Sequence, residues 1–353
     1  MVALANSFSA RGFAVDLIVV SAHGPFRKDV SPEVHLVDFK VGRVIKALFP
    51  LSRHLRRTRP QALLSAMGHA NVVALLARML ARVSVRVVVS ERGFISGEQA
   101  IAKSMVAKLN YYLLRLLYPS ADGICAVSQA ASRDLCDFAR LPVSRVQTIY
   151  NPFDLPLIAH LAAEPLVHPW FEIKEIPVII SIGRLNEAKN FDVLIRAFAE
   201  LRKQRAVRLV ILGEGELRGI LNNLLSELGL DNSAVSMPGF VTNPYAWLAR
   251  CSLFVLSSRR EGLPGALIEA MACGVPVVST NCLSGPAEIL EGGRWGRLVP
   301  VGDENALAQA MAEVLDTPSA DLPDVRRRAA DFEQEAAVDA YLDLLGLPRG
   351  IRH

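Results

Sequence analysis

Cysteine is sparse in this 353-residue chain: Cys125, Cys136, Cys251, Cys273 and Cys282 are odd in number and include no Cys-x-x-Cys pair. That pattern argues against a disulfide framework or a zinc site and fits a reducing compartment. No apolar run approaches the roughly 18 residues needed to cross a bilayer. The opening residues Met1-Val2-Ala3-Leu4-Ala5-Asn6 lack the basic flank and apolar core of a secretory signal. A cytoplasmic protein is therefore expected, with any membrane contact peripheral and on the inner face of the plasma membrane. No tandem repeat, low-complexity tract or Asp-x-Asp motif occurs, so neither a repeat architecture nor a carboxylate clamp for a divalent ion is signalled. No metal and no other cofactor is expected.

Acidic residues are missing altogether from 39 to 90, where Lys40, Arg43, Lys46, Arg53, Arg56, Arg57, Arg59, Arg78, Arg82 and Arg86 stand unopposed. These ten cations exceed the net charge of +4 carried by the whole chain, so the remainder is net acidic. A one-sided positive field attracts anionic surfaces or phosphorylated acceptors. Nucleic acid is not expected, because no aromatic stacking platform or binding motif is interleaved with the charge. Residues 42–59, interrupted at Pro50, read as a cationic, partly amphipathic stretch suited to an anionic membrane surface, or equally as a solvated helix face.

Apolar residues make up 51% and charged residues 21%, which fits a globular chain. Its length suggests two domains of roughly 150 to 180 residues each. Short apolar, β-branched runs at 14–20, 62–66, 85–90, 124–127 and 146–149 alternate with helical patterns such as 71–82 and 99–118. Strands that are apolar end to end and separated by helices imply parallel sheets covered on both faces. Residues 151–177, with five prolines and no sustained periodicity, read as an interdomain linker. The alternation then resumes with strands at 178–182, 208–212, 253–257 and 275–279 and helices at 191–202, 216–228 and 263–273. The fold class is thus α/β: two Rossmann-like, doubly wound domains facing a cleft, with ligand expected at the carboxyl ends of the strands.

Four motifs carry candidate chemistry. In Ser181-Ile182-Gly183-Arg184-Leu185-Asn186-Glu187-Ala188-Lys189-Asn190, a buried strand ends at Gly183, and Arg184 and Lys189 emerge just before a helix. A guanidinium fork and a compact ammonium there suit a diphosphate; an isolated Arg-x4-Lys is more often a solvated loop, and the position after the strand is what favours the functional reading. In the segment from Glu261 through Gly262, Leu263, Pro264 and Gly265 to Glu269, Pro264 suits a first helical turn. Gly265 there permits close approach, leaving free amides for an anion. Glu269 lies in a helix otherwise lined with Ala, Leu, Ile and Met. A buried carboxylate without partners costs several kcal/mol, so it needs donors, and sugar or ribose hydroxyls are natural ones; a helix-surface glutamate is the alternative. Gly213-Glu214-Gly215 is a strand-to-helix turn that sterics alone explains. Cys282-Leu283-Ser284-Gly285-Pro286 begins another helix, where Ser284 either contacts a ligand or caps the helix.

In this order and spacing, the four motifs resemble the C-terminal domain of retaining glycosyltransferases of family 4, with the GT-B fold. The resemblance is strong over about 176–316 and looser in the N-terminal half. It implies that Arg184 and Lys189 bind the donor diphosphate, that Glu261 contacts the donor sugar and Glu269 the ribose. It further implies that main chain at Gly239, Phe240 and Val241 holds the base. The implied co-substrate is a nucleotide-diphosphate sugar, most simply a UDP-sugar, and the implied acceptor a glycan or lipid-linked glycan of cell-surface polysaccharide or lipopolysaccharide. Transfer would retain anomeric configuration without metal, Arg184, Lys189 and helix amides neutralising the leaving diphosphate. The closing stretch 332–345 resembles the family's last helix, so a first domain of 1–155 joined by 325–353 and a donor domain of 156–324 are expected. Two departures stand out: the family's first strand and glycine-rich turn, which precede the helix seen here at 1–11, are missing, and Glu91 occupies the place of the family's usual histidine. His69 is the alternative strand-end histidine on the acceptor side, or a structural hydrogen-bonder. A sugar-nucleotide epimerase of the same fold and a non-catalytic sugar-nucleotide-binding protein are the rival readings.

Overall fold

In the computed structural model, all residues are described except 23, 24, 102, 103, 173–175 and 351–353. The β-branched runs form parallel ladders in two compact units, Met1–Pro152 with the residues from Gln334 onward, and Phe153–Glu333.

The first unit contains two sheets. β1 (Asp16–Val19) pairs in parallel with β2 (His35–Asp38), and β3 (Ala62–Ala66), β4 (Arg86–Glu91), β5 (Gly123–Ala126) and β6 (Val146–Thr148) pair in that order, also in parallel. Val87, Val88 and Val89 of β4 are wholly buried, as a strand covered on both faces requires. A single doubly wound sheet was the expectation for this unit, but β1 and β3 do not pair with each other. Residues of both strands, Leu17, Ile18, Leu63 and Leu64 among them, line a cavity of about 840 Å³. The helix Val2–Ala10 presents Leu4, Ala5 and Phe8 to the same cavity.

The pattern at 99–118 is two helices, Ile95–Ile101 and Met105–Leu117, because the Ser104 side chain accepts from the Ala107 amide and starts a new helix. The helix Gln334–Leu345 closes the unit: Val338, Tyr341 and Leu342 pack with Leu4, Phe8, Val88 and Cys125. Arg11 bridges to Glu335 and Asp339.

The second unit holds one six-stranded parallel sheet. Its strands are β7 (Val178–Ile182), β8 (Arg208–Leu212), β9 (Val235–Gly239), β10 (Leu253–Leu256), β11 (Val277–Thr280) and β12 (Arg297–Val299), in the order β12-β11-β10-β7-β8-β9. The chain builds outward from β7 to β9, then crosses back to lay β10 on the other side of β7. The order reverses between β7 and β10, and in such sheets a ligand crevice opens at the carboxyl ends beside that reversal. Val255, Leu194, Phe198 and Leu209 are fully buried in the core behind it.

The stretch 151–177 is more structured than a linker. Asp154 caps the helix Leu155–Ala162, with Pro156 in its first turn, so this proline starts a helix instead of interrupting one. The unit boundaries also differ from the expected ones. Val325–Ala329 forms a helix that packs on the helix Gly265–Ala272, and Phe153 bridges to Glu333, so 325–333 stay with the second unit and only the residues from 334 join the first.

Candidate functional site

The site is built on the paired ends of β7 and β10. Beyond β7 the Gly183 amide donates to the Leu212 carbonyl and the Leu185 amide to the Glu214 carbonyl, which draws the loop against the turn that follows β8. The approach is closest at Gly213, whose φ is +142° and where a Cβ would stand 2.0 Å from the Gly183 carbonyl oxygen. At Gly215 a Cβ would stand 2.4 Å from the Leu185 oxygen. The Gly-x-Gly turn is therefore needed for this seam between two loops, which supports the steric reading of that motif.

The loop then delivers Lys189. Asn186 accepts from the Lys189 amide, Ser257 donates its hydroxyl to the Lys189 carbonyl at 2.8 Å, and the lysine stem lies over Gly183, where a Cβ would meet it at 3.1 Å. The ammonium donates to Glu261 Oε1 at 2.6 Å, and Ser258 Oγ donates to the same oxygen, also at 2.6 Å. Both ends of the pair are largely shielded, at 22% side-chain exposure for Lys189 and 11% for Glu261. Partial desolvation strengthens such a charge-assisted bond. An ammonium has three donors, so one bond to Glu261 leaves others for a ligand.

Arg184 behaves differently. Its side chain is 71% exposed and pairs with Glu216 at 3.2 Å. An exposed pair of this kind holds the side chain weakly.

The helix Gly265–Ala272 starts after Pro264 with no side-chain cap, which leaves its first amides turned outward as the sequence suggested. Leu263 and Pro264 are buried and anchor this turn, and Ser284 Oγ donates to the Gly262 carbonyl at 2.8 Å. Ser284 thus ties the two loops together. Gly285, with φ at +93°, takes the N-cap position of the next helix, so of the two readings of Ser284 the cap is not the one realised. Glu269 is half-buried one turn into the Gly265–Ala272 helix, with Tyr245 OH donating at 3.4 Å. Burial raises its carboxyl to about 6, against the opposing pull of the Tyr245 hydroxyl and the Lys189 charge. Gly239 ends β9 with φ at +91°, Phe240 is exposed and Val241 follows half-buried.

Several participants had not been singled out: Ser257 and Ser258, Asn190, Tyr245, and the pair Glu214 and Arg218. Asn190 sits at φ +56° before the helix Phe191–Arg202 and accepts from Arg259 Nε at 2.6 Å. Arg218 grips Glu214 with two bonds of 2.7 Å. The run of serines closing β10 was the one visible signal, since hydroxyls at the end of a buried apolar strand need partners.

In the first unit, His69 and Glu91 lie at the ends of the neighbouring strands β3 and β4. His69 is exposed in the first turn of the helix Gly68–Ala81. Glu91 is only 4% exposed, and its carboxylate accepts from Tyr118 OH and from Asn71 Nδ2 at 3.1 Å. Its Oε1 is thus engaged by interior groups. Burial lifts its pKa to about 7.

The chain matches the family described as glycosyl transferases group 1 over residues 176–317 and that described as glycosyltransferase family 4 over residues 1–156. Among curated relatives it is 34% identical, over 79% of its own length and 75% of the relative's, to the N-acetylgalactosamine-N,N'-diacetylbacillosaminyl-diphospho-undecaprenol 4-alpha-N-acetylgalactosaminyltransferase of Campylobacter jejuni. Among solved structures, sucrose-phosphate synthase from Thermosynechococcus elongatus superposes with a TM-score of 0.81 at 18% identity, covering 97% of this chain and 90% of that one. Anabaena HepE, solved in complex with UDP and glucose, does so with 0.79 at 21% identity, covering 98% and 95%. At such identities the likeness establishes the fold, the two-domain parallel-sheet architecture of GT-B.

Proposed function

Because the chain belongs to the glycosyl transferases group 1 family and is a glycosyltransferase, we propose that it moves a sugar, with retention and without metal, from a UDP-sugar to a lipid-linked or polysaccharide acceptor in cell-surface glycan assembly. One observation carries this reading: the shielded Lys189 and Glu261 pair beside the uncapped helix Gly265–Ala272, at the point where the strand order reverses. As the bond from the anomeric carbon to the diphosphate breaks, negative charge collects on the leaving oxygens. Lys189, Arg184 and the first amides of that helix supply positive charge that is already in place. Glu261, whose Oε1 is held by Lys189 and Ser258, offers its other oxygen to donor-sugar hydroxyls. Glu269 and Tyr245 face the ribose, and the main chain at Gly239, Phe240 and Val241 takes the base. The acceptor hydroxyl oxygen attacks from the side the diphosphate leaves and gives its proton to the departing phosphate oxygen, so that nucleoside diphosphate and the new glycoside are the products. His69 and Glu91 serve the acceptor-side unit, Glu91 through the groups it holds in place. A lipid-linked acceptor is supported by the Campylobacter relative, whose name gives it a diphospho-undecaprenol substrate.

Calorimetric titration with uridine and guanosine diphosphate sugars, alongside an assay of nucleotide release, tests the reading. We expect a UDP-sugar to bind and turn over equally well with excess EDTA and with added magnesium or manganese. Binding without release of UDP, or activity that vanishes with EDTA and returns with metal, would contradict it.

A further inference from the structure

Asn190 follows Lys189 and takes the N-cap position of the helix Phe191–Arg202. Asparagine is favoured at such a place because its side-chain oxygen ordinarily accepts from amides of the first turn. Here it makes no such bond. Its backbone is left-handed, at φ +56° and ψ +41°, a conformation that glycine adopts more freely. The residue is only 1% exposed, and its Nδ2 is buried with no hydrogen-bond partner among the described residues. Leaving a buried donor unmet costs about 1 to 3 kcal/mol. One interaction stands against these costs: the Asn190 side-chain oxygen accepts from Arg259 Nε at 2.6 Å.

Arg259 lies two positions before Glu261, on the segment that follows β10. That segment holds the loop after β7 at three successive residues. The Arg259 amide donates to the Ala188 carbonyl at 2.8 Å, the Ser257 hydroxyl to the Lys189 carbonyl, and the Arg259 guanidinium to the Asn190 side chain. Nη2 of the same guanidinium lies 3.6 Å from Asp192. We propose that Asn190 and Arg259 are positioning residues, whose bond fixes the register of the two loops and so sets the Lys189 ammonium against Glu261 and the leaving diphosphate. Unfavourable backbone and unmet polar groups persist where a site depends on them, and here they adjoin Lys189. The alternative role for an arginine in this place is that of a third cation on the diphosphate. The geometry favours positioning, because Nε is engaged by Asn190 and Nη2 is turned to Asp192. The inference rests on the part proposed above for Lys189.

Release of UDP with water as acceptor is the readout, from whichever of UDP-glucose, UDP-galactose and their N-acetylamino counterparts the parent binds most tightly. Asn190→Gly frees the backbone and removes the oxygen, so kcat should fall at least about tenfold, the scale of a misplaced catalytic group. Its KM for the donor and its affinity for UDP should stay within about threefold of the parent, because the lost interaction matters only as charge develops. Arg259→Ala should show the same split, and the double variant should be no slower than the slower single, as for two residues that act as a unit. Placed on Lys189→Ala, Asn190→Gly should cost less than about twofold more, since a positioning residue acts only through the group it positions. A general loosening of the fold would instead repeat the full loss there and overturn the proposal. So would parent-like kcat in Asn190→Gly, additive losses in the double variant, or a UDP affinity about tenfold weaker in Arg259→Ala, the mark of a direct phosphate contact. Parent-like turnover in Lys189→Ala would overturn the donor reading itself, and this inference with it.

Discussion

Replacing Lys189 by alanine is expected to lower turnover at saturating donor by at least about 100-fold, the scale of removing one preorganised group from a developing oxyanion. The site explains why so much rests on one side chain. Arg184, the other cation on the loop after β7, is mostly in water and weakly held, so it arrives at the diphosphate at an entropic cost. Lys189 is fixed by the bonds of its own backbone to Asn186 and Ser257 and by its contact with Glu261. It therefore stands ready before charge develops. Glu261→Ala should cost a similar factor, about 100-fold, because it leaves Lys189 unanchored as well as removing a sugar contact. Arg184→Ala should act chiefly on donor affinity. Near-parental turnover in the Lys189 variant would remove it from the chemistry.

Glu91→Gln should stabilise the chain above pH 7 and leave it nearly unchanged below pH 4.5. Burial raises this carboxyl from 4.5 to about 7, so between those values the folded chain keeps a proton that the unfolded chain has released. Stability thus falls as pH rises through that window, and above it the folded chain carries the full penalty of a buried charge. Glutamine keeps an oxygen to accept from Tyr118 and Asn71 and never ionises. Its advantage at pH 8 should reach about 3 kcal/mol, the free-energy equivalent of the pKa displacement. Urea titrations of parent and variant at pH 5 and pH 8 read this directly. An equal difference at both values would show that shape, and not charge, sets the effect.

Much of this was visible in the amino acids. Arg184, Lys189 and Glu261 follow apolar runs that become β7 and β10, and a parallel sheet brings such strand ends to one edge. The pairing of Lys189 with Glu261 was not visible, because it depends on the strand order: the two residues are 72 positions apart and meet only because a crossover lays β10 beside β7. Tyr245 escaped notice for the same reason, since it reaches Glu269 from a separate short helix, Pro244–Leu248. β2, β9 and β12 are strands of three to five residues whose apolar content is too slight to mark them. The prolines of 151–177 misled for a physical reason: Pro156 fixes a backbone angle that suits a first helical turn as well as a loop.

The first unit is assembled from two stretches of chain separated by the whole of the second. Tyr341 and Leu342, wholly buried in its core, are made only after the whole of the second unit. Residues 153–333 are contiguous and can fold as soon as they emerge. The amino-terminal half, although made first, must wait unfinished until the residues from Gln334 have followed the second unit. During that interval its apolar strands stand open, and this is when a chaperone would meet the nascent chain.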